Sequence, residues 1–224
     1  MPHAPTRPSA RERLIAAAAR RFYADGIVAT GIDTVTAEAG VAKMSLYHNF
    51  ASKADLVAAY LAARHAEWLG LYRDRLAAAE AAGAGPAERA LAVFDAYTDH
   101  ADASYERGFR GCGLLNAAGE LPVGDPGRDA VRRHKEEVEA LLAAHVAELR
   151  PDDPAGAAAL AEHLAYLLEG AMARAGLDGE DRRLRRVRVM AATLLDASPA
   201  AGATAGTGAE ATARSAASSA DGPR

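Results

Sequence analysis

GVAKMSLYHNF, residues 40–50, packs a glycine, a lysine, two aromatics, a histidine, an asparagine and a serine into eleven positions of a chain dominated elsewhere by alanine, leucine and charge. Gly40 suits a sharp turn, and the residues after it have room for one helix of about two turns, from Ala42 or Lys43 to Phe50. Leu46 and Phe50 are four apart and stack on one face. Met44, Tyr47 and His48 then point away from them, flanked by Lys43 and Ser45. On the segment before the turn, Val35 and Ala39 face inward, followed by Val41. Helix, glycine turn, helix is the pattern of a helix-turn-helix DNA reader. The outward face offers a cation, hydroxyls, an imidazole and a soft apolar tip, the groups that meet phosphates, base edges and thymine methyls. The same pattern also occurs in helix pairs that never touch DNA, and spacing alone leaves both readings open.

Capping signals bracket this stretch. Ser9-Ala10-Arg11-Glu12 reads as a capping box that opens a helix to about Asp25, with Leu14, Ile15, Ala18 and Phe22 as its apolar stripe and Gly26 as its stop. Thr30-Gly31-Ile32-Asp33 reads as a second box, opening a short helix to about Ala39. Ser52-Lys53-Ala54-Asp55 reads as a third, opening a long helix to roughly Ala82.

The remainder reads as more helix. Gly83-Ala84-Gly85-Pro86 breaks the chain, and Pro86 starts a helix over about 86–103 that buries Leu91, Phe94 and Tyr97 or Thr98. The span from Ser104 to Gly127, rich in glycine and proline, is expected to be irregular, with a short helix near Leu114–Ala118. Helical spacing of apolar residues predicts further helices over about 128–150, 155–175 and 180–197. No repeat and no convincing strand is found. The expected organisation is a flexible arm over 1–8, a helix-turn-helix domain over 9–55, a larger helical domain over 56–198, and a disordered tail over 199–224. That tail has no large apolar residue to offset the entropy of ordering.

Composition narrows the function. Half of the 224 residues are hydrophobic and only 5% aromatic, which suits helices packed through Ala, Leu and Val. Cys112 is the one cysteine, so an intramolecular disulfide and multi-cysteine metal sites are excluded, as a reducing cytoplasm would have it. The first ten residues lack the apolar run of a signal peptide, and no stretch approaches about 18 uninterrupted apolar residues, so no membrane partner is expected. Net charge is −4, yet residues 1–55 hold seven basic and five acidic side chains against 19 and 25 in the rest. A mildly basic end on an acidic body lets one surface face phosphates. Neither metal-spaced His/Glu pairs nor a phosphate loop nor a nucleophile elbow is present, so no metal and no cofactor is expected.

TGIDTVTAEAGVAKMSLYHNFASKADLVAAYL, residues 30–61, closely resembles the DNA-binding domain of the tetracycline-repressor (TetR) family of bacterial transcriptional regulators. The likeness is carried by Thr30, Ala39-Gly40-Val41, Leu46-Tyr47, Phe50, Ser52-Lys53 and Leu56, with Phe22 and Gly26 at the expected distance. It implies an all-α fold: a three-helix DNA-binding domain and a larger ligand-binding and dimerisation domain. It also implies site roles. Thr30 would touch a phosphate through its hydroxyl and the helix amides. Lys43, Met44 and Ser45 would face base edges, and Tyr47 and Lys53 would clamp phosphates with His48 near them. Thr36 stands where the family usually has alanine. Asn49 stands where it often has histidine, and can still donate to a phosphate.

The resemblance further implies a homodimer formed through the helices at about 155–175 and 180–197, a double-stranded DNA operator, and a small-molecule effector. Candidate pocket residues are Phe94, Tyr97, Cys112, Asn116, Leu141, His163 and Tyr166. Cys112 reads either as a redox or electrophile sensor or as an inert small hydrophobe, and Asn116 either orients a ligand or caps the short helix. The arginines of the run Arg182 to Arg188 read as a solvated or dimer-flanking face, or as a second nucleic-acid surface. The functional expectation is a ligand-responsive repressor rather than an enzyme. The alternatives are a helical protein-interaction module, or an all-α enzyme using the same pocket.

Overall fold

The computed structural model describes residues 8–101 and 108–197. Most of the expected arm, the stretch from Ser104 to Arg107 and the expected tail lie outside the described residues. Among those described, the chain forms helices and no strand: α1 (Ala10–Asp25), α2 (Ile32–Ala39), α3 (Lys43–Asn49), α4 (Lys53–Ala81), α5 (Pro86–Ala101), α6 (Gly113–Glu120), α7 (Pro126–Leu149), α8 (Pro154–Asp178) and α9 (Arg182–Asp196).

The local signals act as the sequence predicts at two of the three boxes. The Ser9 hydroxyl accepts from the Glu12 amide while Glu12 reaches back to the Ser9 amide, and Ser52 accepts from the Asp55 amide. Thr30 departs from its expected role. Gly31 is the N-cap of α2, and the Thr30 hydroxyl instead donates to the Gly26 carbonyl at 2.6 Å and the Arg21 carbonyl at 3.3 Å. A hydroxyl beside a carbonyl four residues back finds that partner as readily as a helix amide.

Two apolar cores lie along the chain. The first joins Leu14, Ala18 and Phe22 of α1, Val35 of α2, Leu46 of α3 and Phe50 to Leu56, Val57, Tyr60 and Leu61 of α4. It also takes Leu114 and Ala117 from α6 and Val131 from α7, so it reaches past residue 55. The second fills the larger bundle, where Trp68, Phe94, Tyr97, Leu142, Leu164, Leu168 and Leu184 pack together. α4 spans both, at 29 residues a rod of about 44 Å. Cys112 packs against both cores. Each fully buried Leu or Phe contributes about 1.5–3 kcal/mol, which explains why α3, only two turns long, holds its place through Leu46 and Phe50 alone.

Candidate nucleic-acid interface

α3 is positioned from three sides. Gly40 closes α2 in the left-handed conformation (φ 61°) that an L side chain resists, and its amide reaches the Ala37 and Thr36 carbonyls. The Arg13 guanidinium, from α1, donates to the Ala39 and Gly40 carbonyls at 3.2 and 3.1 Å, pinning the turn itself. Arg20 and Arg21 both hold Glu38 of α2. Burial disfavours that carboxylate, but the two guanidinium groups outweigh it and keep Glu38 below its ordinary range. Arg13 and Glu38 were not singled out from sequence. Their one local signal, basic residues on an exposed face of α1, is common to most solvated helices.

On this support the outward face of α3 is as the spacing predicts. Met44 is 65% exposed, Tyr47 is 46% exposed, and Lys43 and His48 are exposed, whereas Leu46 is fully buried. Ser45 is half-buried at the helix edge. The Lys43 ammonium lies 2.8 Å from Asp33, and that hydrogen bond raises its pKa, so Lys43 is a full cation. Lys53, at the start of α4, is half-buried with its ammonium 3.5 Å from the Val28 carbonyl.

Three residues are spent differently from expectation. Thr30 is 2% exposed with its hydroxyl turned inward, so only the α2 amides at that end are left to meet a phosphate. Asn49 turns its amide back to the Ser45 carbonyl at 2.7 Å, which leaves it half-buried against its own helix. Thr36 is accommodated because its hydroxyl donates to the Asp33 carbonyl at 3.1 Å, so the buried polar atom has a partner.

The expected effector residues are not brought together. Phe94 and Tyr97 are buried in the bundle core, and Leu141 packs against its edge. His163 and Tyr166 lie exposed on the outer side of α8, opposite the buried stripe of Leu160, Leu164 and Leu168. Helical phase alone forces that separation. Cys112 and Asn116 do share an opening of about 370 Å³ with Met172 and Gly176 of α8, and Asn116 donates to the Arg110 carbonyl. Behind Cys112, the Lys135 ammonium sits 3.6 Å from its sulfur, 2.7 Å from Glu169 and 3.1 Å from the Tyr97 hydroxyl. Burial disfavours that ammonium, but Tyr97, Cys112 and Glu169 outweigh it and hold the pKa up. A second cavity of about 490 Å³ lies between α4 and α7, lined by His65, His134 and Arg133 among others. Among the described residues no three His, Cys, Asp or Glu side chains are placed to hold a metal ion.

The arginines of α9 are largely spent within the fold. Arg182 pairs with Glu180, Arg183 with Asp178, Arg185 with Asp181, and Arg188 with Asp95 and Glu88. These carboxylates cancel the field a second nucleic-acid surface would need.

A buried α1 and α2 that present a short exposed polar helix define a helix-turn-helix DNA-binding regulator. The profile of the tetR family of bacterial regulatory proteins matches residues 14–60. A TetR-family transcriptional regulator from Streptomyces coelicolor is 32% identical, with 83% of this chain and 94% of that one aligned at a TM-score of 0.70. A TetR-type regulator from Streptomyces avermitilis is 31% identical over 82% of this chain and 98% of that one, with a TM-score of 0.60. The regulatory protein TetR from Rhodobacter sphaeroides is 26% identical over 83% and 98%, with a TM-score of 0.67. None of the curated proteins compared with it matches. The chain belongs to the TetR family of transcriptional regulators. No helix among the described residues is long and apolar enough to cross a membrane.

Proposed function

We propose that the protein is a homodimeric, ligand-responsive repressor. The observation that carries DNA reading is the division of α3: Leu46 is buried while Lys43, Met44, Tyr47 and His48 stand outward on a helix with no other partner element on that side. Two copies of α3 would enter successive major grooves roughly 34–36 Å apart on a near-palindromic operator. Dimerisation through α8 and α9 is supported by their exposed apolar side chains, Tyr166, Leu177, Val189 and Met190, which a monomer would leave in water. A small molecule bound in the larger domain would favour a dimer whose reading helices no longer match that spacing.

Selection of duplexes from a random pool, followed by fluorescence anisotropy across salt concentration, tests the reading. The recovered sites should be near-palindromic, two chains should bind per duplex, and affinity should fall steeply with salt. Absence of salt-dependent binding to its own upstream DNA and to every selected duplex would overturn it.

A further inference from the structure

The segment from Arg110 to Glu120 is tied to the reading head at both ends. The Arg110 guanidinium Nη1 donates to the Tyr23 carbonyl at 2.8 Å and the Ala24 carbonyl at 2.6 Å, two of the last carbonyls of α1. The Arg110 amide donates to the Tyr23 hydroxyl at 2.5 Å, which in turn donates to the Gly111 carbonyl at 3.2 Å. At the other end Glu120, the last residue of α6, accepts from the Ile27 amide at 3.0 Å and the Val28 amide at 2.7 Å. These are groups that a helix end and a tight connection leave without partners of their own. The fit is close: Gly26 has φ 91°, and a Cβ there would stand 2.7 Å from Glu120 Oε1.

The same segment is held on its far side by α8. A Cβ on Gly176 would lie 2.7 Å from the Gly111 nitrogen and 2.8 Å from the Arg110 carbonyl carbon. The chain therefore crosses α8 backbone to backbone, with room only for the glycine hydrogen. A Cβ on Gly111 would in turn stand 3.2 Å from the Met172 carbonyl oxygen. Packed contacts of this kind move together rather than deform.

We propose that Arg110 and Glu120 are positioning residues for DNA reading, and that the segment between them carries the setting of α8 to the α1–α2 connection and so to α2 and α3. The inference rests on α3 being the reading helix. Neither residue lies on the outward face of α3; each acts through backbone groups of the connection. Because α8 also bears the exposed apolar face described above, the segment links the proposed dimer interface to the head.

The test uses the full chain and a duplex selected by the wild type. Gly176→Ala wedges the crossing, Glu120→Ala removes both amide bonds, and Glu120→Gln keeps one acceptor oxygen. Gly176→Ala and Glu120→Ala should each weaken duplex binding by about tenfold, the scale of losing charge-assisted bonds to two amides. Glu120→Gln should fall between them and the wild type. The slope of log affinity against log salt should stay unchanged, because no phosphate contact is lost. Hydrogen exchange at the Ile27 and Val28 amides should quicken, and the dimer mass should not change.

Affinity within twofold of wild type in both variants, with those amides exchanging faster, would overturn the proposal. So would a fall in affinity accompanied by a shallower salt slope, which would make the effect a lost contact. If Gly176→Ala does not fold, the exposed Glu120 variants carry the same decision. If the wild type binds no duplex, DNA reading fails by itself. Amide exchange in Gly176→Ala then still decides whether α8 is linked to the connection.

Discussion

The Lys43 ammonium rests 2.8 Å from the Asp33 carboxylate, joining the first turn of α3 to the first turn of α2. Both side chains are exposed, so the pair adds little to stability. Its consequence lies in binding, because a phosphate that approaches Lys43 must also approach Asp33. Asp33→Asn should therefore tighten binding to any duplex, and Lys43→Ala should weaken it and lower the salt slope by about one. Equal affinities for both variants in an anisotropy titration would show that this face does not meet DNA.

Tyr47 and Met44 should separate affinity from specificity. Tyr47→Phe removes a hydroxyl placed for a phosphate and should weaken all duplexes alike. Met44→Ala removes an apolar tip placed for a base edge and should relax the preference at one operator position, at about 1–3 kcal/mol of discrimination. Competition binding with single-base operator variants reads the difference, and a uniform loss from both substitutions would contradict the assignment of Met44.

Leu46 is fully buried at the junction of α1, α3 and α4. Leu46→Ala should cost about 2–5 kcal/mol in urea unfolding, as large-to-small changes in packed cores do. Met44→Ala, 65% exposed on the same two-turn helix, should stay within about 0.5 kcal/mol. Similar losses at both positions would mean that α3 does not divide its faces as described.

His134 and His100 give the fold a pH dependence with a definite sign. Burial, with Lys135, His65 and His100 nearby, pushes His134 down to about 3; burial, with Arg64 and Lys135, does the same to His100. In the unfolded chain each takes its proton near 6.5. Between pH 6.5 and 3 the unfolded state therefore binds more protons, and stability falls as pH falls. The contribution is complete above 6.5 and amounts to up to about 2 kcal/mol per histidine by about pH 5. Urea midpoints at about pH 7.5 and 5 should show the drop, and His134→Asn should shrink it; a midpoint that rises on acidification would refute the assignment.

Much of the interface is legible in the chain because the forces that shape it act over one or two turns. Ser9 and Ser52 cap helices through residues three positions on, Gly40 stops α2 by its own backbone freedom, and a period of 3.6 residues sets Leu46 and Phe50 against Met44, Tyr47 and His48. Thr30 shows the limit of such rules. A hydroxyl has two local partners of nearly equal merit, an amide ahead and a carbonyl behind, and only the packing of the α1–α2 connection settles which is taken. Asn49 turned to the Ser45 carbonyl for a similar reason.

Everything that depends on which helices meet was left to the tertiary structure. The pocket residues expected from likeness to the family fall on opposite sides of α8 and inside the core, since family likeness does not specify helical phase. The bonds of Arg110 to Tyr23 and Ala24, of Glu120 to Ile27 and Val28, and the crossing of Gly111 over Gly176 join residues far apart in the chain. No local propensity encodes them. Helix, cap and face follow from neighbours along the backbone, whereas the contacts that seat the reading head exist only once two cores have packed and brought distant carbonyls, amides and a bare glycine into reach.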